Sequence, residues 1–421
     1  MDCRPLPPVA HGHLPKGPNM KIPAGAVWWI VVLCVMACRN EEGPEFYPKA
    51  PSSRVVQSEK GPMDLNEAKP GAPRPGNLEK RTIQSVRLPG GEFTLVVTIG
   101  QFGAKLSETN SKWWGGVKGP DGRIYGIPYS ATDILIIDPR TDRATRSTMG
   151  EKLKGGSKWA SGCLGPDGKI YAVPYHASTV LIIDPIAGTA TQTDFGLDLN
   201  DKAKWAGAVL GLDNKIYALP RNARDILIID ALAGTAIRSD MGARLRGSHK
   251  WSGGIRAGNG RIYGIPRNAR DILIIDPASG TAVRDDLGAN LTRRHKYAEG
   301  ILAPDGKIYA IPYSQSPEVL IIDPIKNSAA LRNLGPNLSG GGWSEAILGP
   351  DGNIYAVPYT ASDLLVINPE AGTATRIPLE GVVPTSTGKW VTGERINNKV
   401  YGIPYGAQKL IQVEFIGPDS P

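Results

Sequence analysis

The chain has 421 residues, of which 51 are glycine and 36 are proline, and 21% of its residues are charged. This turn-rich, moderately charged composition argues against a wholly disordered chain and favours a globular all-β protein. The formal net charge is +8, but residues 1–90 hold 12 Lys+Arg against 8 Asp+Glu, so half of the excess lies there. The remaining +4 forms no basic stripe, which argues against nucleic acid as the partner.

The N-terminal segment carries the pattern of an export signal. Lys21 follows Met20 and precedes the apolar run 27–37, which ends at Cys38. This run is too short to span a bilayer comfortably and has the length typical of a signal peptide. The ending VMAC resembles a bacterial lipoprotein signal, in which the cysteine is lipidated after cleavage. We therefore interpret 1–38 as a leader that starts at Met1 or Met20, with the lipoprotein signal at 20–38. An ordinary secretory leader or a signal anchor is the alternative.

Residues 39–90 are rich in Pro, Glu, Lys and Ser and show no apolar periodicity. This composition predicts a disordered tether. The folded domain is then expected to span 91–421, where Cys163 is the only cysteine. We therefore expect no internal disulfide and an exported protein that contacts the membrane only through the lipid on Cys38, or is released outside the cell.

A 46-residue repeat fills the predicted domain. Tyrosines recur at intervals of 46 positions and mark seven units: Tyr125, Tyr171, Tyr217, Tyr263, Tyr309, Tyr355 and Tyr401. A period of about 40–50 residues with several short strands is typical of propeller blades. We therefore predict an all-β fold, a seven-bladed β-propeller with four strands in each 46-residue blade.

Turn residues divide each unit into strands. In the first unit, strand one runs from Lys112-Trp113 to Asp121-Gly122, a dipeptide that favours a tight hairpin. Strand two ends at Pro128, which cannot donate to a ladder. Strand three is the apolar run 134–137, as expected for a strand covered on both faces. A more polar fourth strand lies before Gly150.

The seventh unit has no room for a fourth strand, because its third strand occupies 409–415 and the sequence given ends at Pro421. The segment 91–100 aligns instead with the fourth strands of the other units. We predict that 93–99 pairs with the outer edge of blade seven and closes the ring, which removes both exposed sheet edges.

The segment IYGIPYSATDILIIDPRT (124–141) resembles the YVTN-type propeller repeat. The PDG-x-I-Y turn is similar to that of the streptogramin lyase and gluconolactonase propellers. The resemblance covers roughly 330 residues and implies the propeller fold, which serves enzymes, binding surfaces and structural repeats alike. It implies for the lyases a divalent metal held by His and Glu, and for the lactonases acidic and amide ligands. Neither set is carried over, because the repeat period and the positions of His differ here.

Residues that recur in the repeat are expected to be architectural. The Lys-Trp pair of strand one recurs in five units, with Lys296-Tyr297 and Gly342-Trp343 in the other two. We predict that the aromatic ring packs in the core and that the lysine extends toward solvent over an indole face. Cys163 occupies a slot that holds Val or Ile in most units, which predicts a buried small side chain and not a nucleophile.

Two neighbouring units replace the Pro-Tyr pair after strand two by Pro-Arg and continue Asn-Ala-Arg-Asp. Adjacent loops thus carry four arginines: Arg221, Arg224, Arg267 and Arg270. Because a guanidinium suits carboxylate, phosphate or sulfate groups, we predict a cationic ligand-binding rim. The alternative is that these arginines pair with Asp225 and Asp271 on a solvated rim.

Four further ionisable residues break slots that are small or weakly polar in other units. His249 and His295 precede the aromatic residue of strand one by two positions, and Glu299 and Glu345 follow it by two. Adjacent blades are predicted to place them around one side of the channel mouth. There the histidines could bind a ligand, the glutamates could hold a divalent metal, or both could act as acid and base. The alternative is that the glutamates bond neighbouring backbone amides.

These features favour a monomeric, envelope-anchored binding or scaffold module with a cationic, aromatic-rimmed face for an anionic small molecule, glycan or protein partner. The alternative function is a metal-assisted lyase or hydrolase with its site at the channel mouth of blades 4–6, and a purely structural surface repeat is the third. The sequence has no phosphate-binding glycine loop, nucleophile elbow or C-x-x-C motif. We therefore expect no cofactor other than a divalent metal.

Overall fold

The computed structural model describes residues 94–106, 111–314, 316–379, 383–384 and 388–417. The leader predicted at 1–38 and the tether predicted at 39–90 lie outside these residues. Every regular element in the described ranges is a β-strand. None of the described residues belongs to a helix with the length and apolarity needed to cross a membrane.

The described ranges contain 28 strands in seven four-stranded sheets, and each sheet is one blade. In chain order the strands are β1 (Thr94–Gly100), β2 (Trp113–Lys118), β3 (Ile124–Pro128), β4 (Ile134–Asp138), β5 (Arg143–Ser147), β6 (Trp159–Leu164), β7 (Ile170–Pro174), β8 (Val180–Asp184), β9 (Thr189–Thr193), β10 (Trp205–Leu210), β11 (Lys215–Pro220), β12 (Ile226–Asp230), β13 (Thr235–Ser239), β14 (Trp251–Arg256), β15 (Ile262–Pro266), β16 (Ile272–Asp276), β17 (Thr281–Asp285), β18 (Tyr297–Leu302), β19 (Ile308–Pro312), β20 (Val319–Asp323), β21 (Ser328–Arg332), β22 (Trp343–Leu348), β23 (Ile354–Pro358), β24 (Asp363–Asn368), β25 (Thr373–Pro378), β26 (Trp390–Ile396), β27 (Lys399–Pro404) and β28 (Leu410–Ile416).

Each blade has its first strand at the propeller axis and its last strand at the rim. Blade one has the antiparallel order β2-β3-β4-β5, and first strands of consecutive blades lie side by side, with β2 next to β6 and β26. The register repeats from blade to blade, and in blade one Tyr125 lies opposite Val117. A bulge between Trp113 and Gly116 interrupts this pairing. Bulges of this kind re-aim side chains, here close to the channel mouth.

The aromatic residue that opens each first strand packs in the core, as predicted. Trp159 is 1% exposed and packs against Tyr125 and Ile127 of the preceding blade. Its indole N–H donates to the carbonyl oxygen of Thr179 at 2.7 Å, so the buried polar atom is satisfied. Cys163, partly buried, packs against a core cluster of the next blade pair, and burial raises its pKa to about 12. Its thiol is therefore protonated at neutral pH, in line with the predicted structural role.

The paired lysines do not extend toward solvent, so that prediction is wrong. Lys158 is 4% exposed, and its ammonium donates to the carbonyl oxygens of Tyr129, Ala131 and Gly155 at 3.3, 2.7 and 2.8 Å. Two of these acceptors belong to the preceding blade, so the lysine binds one blade to the next. The predicted contact with an indole does form, because the Lys158 ammonium lies 5.7 Å from the ring centre of Trp159.

The closing strand pairs as predicted. β1 runs antiparallel to β28, with Thr94 opposite Ile416 and Gly100 opposite Leu410. Leu95 is 2% exposed and packs in the core cluster of blades six and seven. The N-terminal strand of the domain thus completes the last blade.

Side-chain hydrogen bonds also join blade seven to blade one. In most blades the repeat tyrosine donates to the aspartate of its own hairpin, as Tyr125 does to Asp121 at 2.8 Å. Blade seven has no aspartate in that hairpin, and Tyr401 donates instead to Asp142 of blade one at 2.6 Å. The ammonium of Lys399 also donates to Asp142, at 2.7 Å. Blade one thus supplies the acceptor that blade seven lacks.

Candidate functional site

One end of the channel is surrounded by a ring of seven side chains that we call the rosette. Each member follows the proline at the end of a second strand, and the seven are Tyr129, Tyr175, Arg221, Arg267, Tyr313, Tyr359 and Tyr405. Neighbouring tyrosine rings lie close together, for example 5.5 Å between Tyr129 and Tyr175 and 5.9 Å between Tyr359 and Tyr405. The rosette is an aromatic ring that two adjacent arginines interrupt.

The backbone holds each rosette residue between two blades. The amide of Arg221 donates to the carbonyl oxygen of Lys204 at 2.8 Å, and its own carbonyl oxygen accepts the amide of Lys250 at 2.9 Å. The ammonium of Lys250 donates to the same carbonyl oxygen at 3.2 Å. The buried lysines therefore position the rosette as well as joining the blades.

Trp114 fills one side of the rosette. Its ring centre lies 5.1 Å from that of Tyr129 and 5.6 Å from that of Tyr405, and the Arg221 guanidinium lies 5.9 Å above it. Sequence reasoning missed this residue, although comparison of the units contains the signal. The equivalent positions hold small side chains or valine: Ala160, Ala206, Ser252, Ala298, Ser344 and Val391.

The two rosette arginines are buried and stacked on aromatic rings. Arg221 and Arg267 are 5% and 9% exposed. Arg221 lies 5.5 Å from the ring centre of Tyr175, and Arg267 lies 4.2 Å from that of Tyr313. The Nε and Nη1 atoms of Arg221 and the Nε atom of Arg267 are buried and have no acceptor among the described residues. Burial, followed by the charge of Arg267, lowers the pKa of Arg221.

The alternative pairing with aspartates is wrong for these arginines. Asp225 pairs with Arg238 at 2.9 Å, and Asp271 pairs with Arg284 at 2.7 Å. In the described part of the chain, neither Arg221 nor Arg267 forms an ion pair with a carboxylate. The positive charge at the rosette is thus left for another group.

The other two predicted arginines lie elsewhere. Arg224 and Arg270 are exposed and stand outside the rosette. The asparagines between the arginines have a local role, since the Oδ1 atoms of Asn222 and Asn268 accept the amides of His249 and His295 at 2.7 and 2.8 Å. The Arg-Asn-Ala-Arg sequence therefore combines a rosette residue, a loop contact and an exposed charge.

The two predicted histidines belong to the arginine side of the rosette. His249 and His295 are half-buried and have positive φ angles of 51° and 50°. Burial lowers the pKa of both imidazoles, and the nearest charges, Arg221 and Arg267, lower it further. At neutral pH both histidines are therefore mainly uncharged beside two fixed positive charges.

The two predicted glutamates lie near each other, and a third carboxyl group, that of Glu394, lies near Glu345. Burial raises the pKa of Glu345 well above its ordinary value, and the charges of Glu299 and Glu394 raise it further. Burial raises the pKa of Glu299 to about 8 and that of Glu394 to about 7. A Cβ on Gly253 would stand 2.7 Å from the Oε1 atom of Glu299, so glycine in blade four leaves the space that this side chain occupies.

Sequence reasoning missed Glu394 because it occupies the aliphatic slot of strand one. Val117 and Ile347 stand at the equivalent position in blades one and six. The structure therefore divides the predicted His and Glu group into histidines near the arginines and glutamates near one another. No group of three or more His, Cys, Asp and Glu side chains in the described ranges is close enough to hold a metal ion.

A small cavity lies below the rosette on the side away from Tyr129. Its volume is about 30 Å³, enough for roughly two water molecules. Arg267, Tyr313 and Tyr359 form its rosette wall, and Trp114 and Glu299 also line it. The cavity is thus lined by a basic and an acidic side chain within an aromatic enclosure.

No protein-family model and no curated protein matches the sequence. Similar solved structures include a catalytically inactive virginiamycin B lyase from Staphylococcus aureus with quinupristin, with a TM-score of 0.62, 12% identity and coverage of 76% of this chain and 100% of that chain. A streptogramin B lyase structure gives a TM-score of 0.60 at 14% identity over 78% and 100% of the two chains. The extracellular domain of a hybrid two-component system from B. thetaiotaomicron gives 0.56 at 12% identity, over 75% of this chain and 42% of that one. These likenesses confirm the seven-bladed propeller and its fold-level resemblance to the streptogramin lyases.

Proposed function

We propose that the protein is a ligand-binding propeller whose site is the arginine side of the rosette. One observation carries this proposal: Arg221 and Arg267 are more than nine-tenths buried, yet each has a buried guanidinium nitrogen without an acceptor among the described residues. Burial of a charged group without a partner is costly. An anionic group placed between the two guanidinium groups supplies the missing acceptors.

The ligand class follows from the groups around this position. A carboxylate, phosphate or sulfate group offers the planar or tetrahedral array of oxygens that a guanidinium recognises. Tyr175 and Tyr313 flank the arginines and present ring surfaces to the less polar part of a ligand. We propose an anionic small molecule, or the anionic group of a glycan or protein, as the partner.

We also propose that this binding takes place outside the cytoplasm. The apolar run 27–37 followed by Cys38 supports an exported lipoprotein, and an extracellular domain is among the similar folds. Cys38→Ser should move the protein from the membrane fraction to the soluble fraction of an expressing diderm bacterium. Retention of the variant in the membrane fraction would contradict the lipid anchor.

The repeat itself supplies the variant that tests the binding site. Arg221→Tyr with Arg267→Tyr restores the residue that the other five blades carry, so the blades should keep their fold. Calorimetric titration with inorganic phosphate, inorganic sulfate, acetate and glucuronate should show binding to the parent protein. We expect at least one of these anions to bind the double variant at least tenfold more weakly, because charge-assisted hydrogen bonds are lost.

Arg224→Gln with Arg270→Gln is the matched comparison, since it removes two positive charges from the same loops. These side chains are exposed, so we expect at most a twofold loss of affinity at about 0.15 M salt. Equal losses of affinity in the two double variants would instead indicate a general effect of positive charge on anion binding. Absence of binding to all four anions by the parent protein would refute the proposed site.

A further inference from the structure

The cavity below the rosette extends the proposed site toward the channel. Trp114 fills the rosette on the side of Tyr129 and Tyr405, whereas small side chains leave the opposite side open. Ser252 and Ser344 line this open side, and their hydroxyl groups donate to backbone carbonyl oxygens. The hydroxyl donors are thus used within the protein, and we expect the charged and aromatic side chains to contact a ligand.

Two of these side chains have opposite charge when both are ionised. Arg267 belongs to the rosette wall of the cavity and has a buried Nε atom without an acceptor in the described ranges. Glu299 lines the same cavity from strand one of blade five. No ion pair joins Glu299 to Arg267 or to another basic side chain among the described residues. Each charge is thus available to a separate group of a bound molecule.

We propose that the ligand is a zwitterion: its anionic group binds at the rosette arginines, and its ammonium group enters the cavity and donates to Glu299. This inference rests on the proposed function and adds the second half of the ligand. An ammonium group has three donors and no acceptor, which suits a carboxylate. Tyr313, Tyr359 and Trp114 supply aromatic faces that attract a cation where water is scarce.

The size of the cavity agrees with an ammonium group. A volume of about 30 Å³ accommodates a group as small as one or two waters, while the body of the ligand stays at the rosette. Burial disfavours the ionised form of Glu299 and raises its pKa. A cation beside the carboxyl group favours that form.

The test compares ligands that differ only in the amino group. The probes are glycine, β-alanine, 4-aminobutyrate and 6-aminohexanoate, each paired with acetate, propionate, butyrate or hexanoate of the same chain length. Calorimetric titration of the full chain should show that at least one amino acid binds at least tenfold more tightly than its amine-free partner. The chain length of the amino acid that binds most tightly then indicates the distance between its two binding positions, at the rosette arginines and at Glu299.

Glu299→Gln should remove this preference and leave the affinity for the amine-free acids within twofold. Glu394→Gln is the control, because it changes a carboxyl group that lies near Glu345 but does not line the cavity. We expect that variant to keep the tenfold preference. Arg221→Tyr with Arg267→Tyr should weaken both members of each pair.

If the amine-free acids bind as tightly as the amino acids, both to the parent protein and to Glu299→Gln, the proposal of a zwitterionic ligand is overturned. The proposed anion site is then still supported. An amine preference that survives Glu299→Gln in a variant with the parent melting temperature would overturn the role of Glu299. If no probe binds but glucuronate or phosphate does, the zwitterion is again excluded. If no anion of any kind binds, the proposed function itself fails.

Discussion

At position 394 the repeat exchanges an aliphatic side chain for a buried carboxyl group that accepts the backbone amide of Lys118 in blade one. Glu394 lies near Glu345, which in turn lies near Glu299, and no aspartate or glutamate occupies the equivalent slots of blades one and two. Burial of three neighbouring carboxyl groups opposes their ionisation. The charge of this carboxyl cluster, and with it the stability of the protein, therefore depends on pH.

Glu394→Gln should change the pH dependence of stability. Burial raises the pKa of Glu394 from its ordinary value of 4.5 to about 7 in the folded protein, so the folded state binds more protons between these values. The free energy of unfolding therefore falls as pH rises through this window. We expect the variant to be more stable than the parent at pH 8, by on the order of 2–3 kcal/mol, and nearly equal to it at pH 4.5.

Denaturant-induced unfolding at pH 4.5, 6 and 8 measures this difference. The histidines are common to both proteins, and the buried lysines, with pKa values of about 8, contribute mainly above the window. Glu370→Gln, at an exposed position, is the control and should change stability little at any of the three pH values. A constant difference between Glu394→Gln and the parent across all three pH values would contradict the interpretation.

At the scale of elements, the closing strand is the part of the fold on which the others depend. β1 covers the outer edge of β28, and its Leu95, Val97 and Ile99 are buried in the last blade. Without β1, the edge of blade seven would expose unpaired backbone groups and an apolar face. The fold therefore depends on a strand far from its blade in sequence.

Removal of residues 91–100 should strongly destabilise the propeller. Val97→Asp tests the same contact in the intact chain and is expected to lower the free energy of unfolding by about 3 kcal/mol or more, because it buries a carboxylate in an apolar cluster. Val96→Thr, at a half-buried position of the same strand, should cost less than about 1 kcal/mol. Thermal unfolding followed by circular dichroism makes the comparison. A deletion variant that stays soluble with an unchanged melting temperature would rule out this closure.

The sequence was sufficient to predict the elements, because turn residues and the 46-residue period mark them directly. The closing strand was expected at 93–99 and lies at Thr94–Gly100. Side-chain contacts across blades could not be predicted in this way. Two of the three carbonyl acceptors of Lys158 lie 27 and 29 residues upstream in another blade, and no local pattern indicates such a contact. Trp114 was detectable by comparing the units, but its contacts with Tyr129 and Tyr405 across the rosette were not.

At the scale of the whole molecule, buried lysines join successive blades into one body. Lys158, Lys204, Lys250 and Lys296 each donate to backbone carbonyl oxygens of the preceding blade. Burial lowers the pKa of each of these ammonium groups to about 8. Since each lysine also fixes the backbone of a rosette residue, the stability of the ring and the shape of the site depend on the same contacts.

Lys158→Met and Lys250→Met should each lower the free energy of unfolding by about 2–4 kcal/mol, because backbone carbonyl oxygens lose their donor in a buried position. The two losses should agree within about 1 kcal/mol, since the two sites have the same set of contacts. Lys152→Met, at an exposed position, is the control and should have almost no effect. Chemical denaturation supplies the measurement, and a loss confined to one blade would contradict an equivalent role at every interface.

The direction of β1 also determines at which end of the channel the chain enters the propeller. After the rosette residue Tyr405, the chain returns along β28 from Leu410 to Ile416, so Ile416 lies at the opposite end of the channel from the rosette. Thr94 is paired with Ile416, and the chain therefore enters the propeller at that far end. An attachment made at Thr94 would therefore stand at the end of the channel opposite the arginines and tyrosines of the rosette and would leave them uncovered.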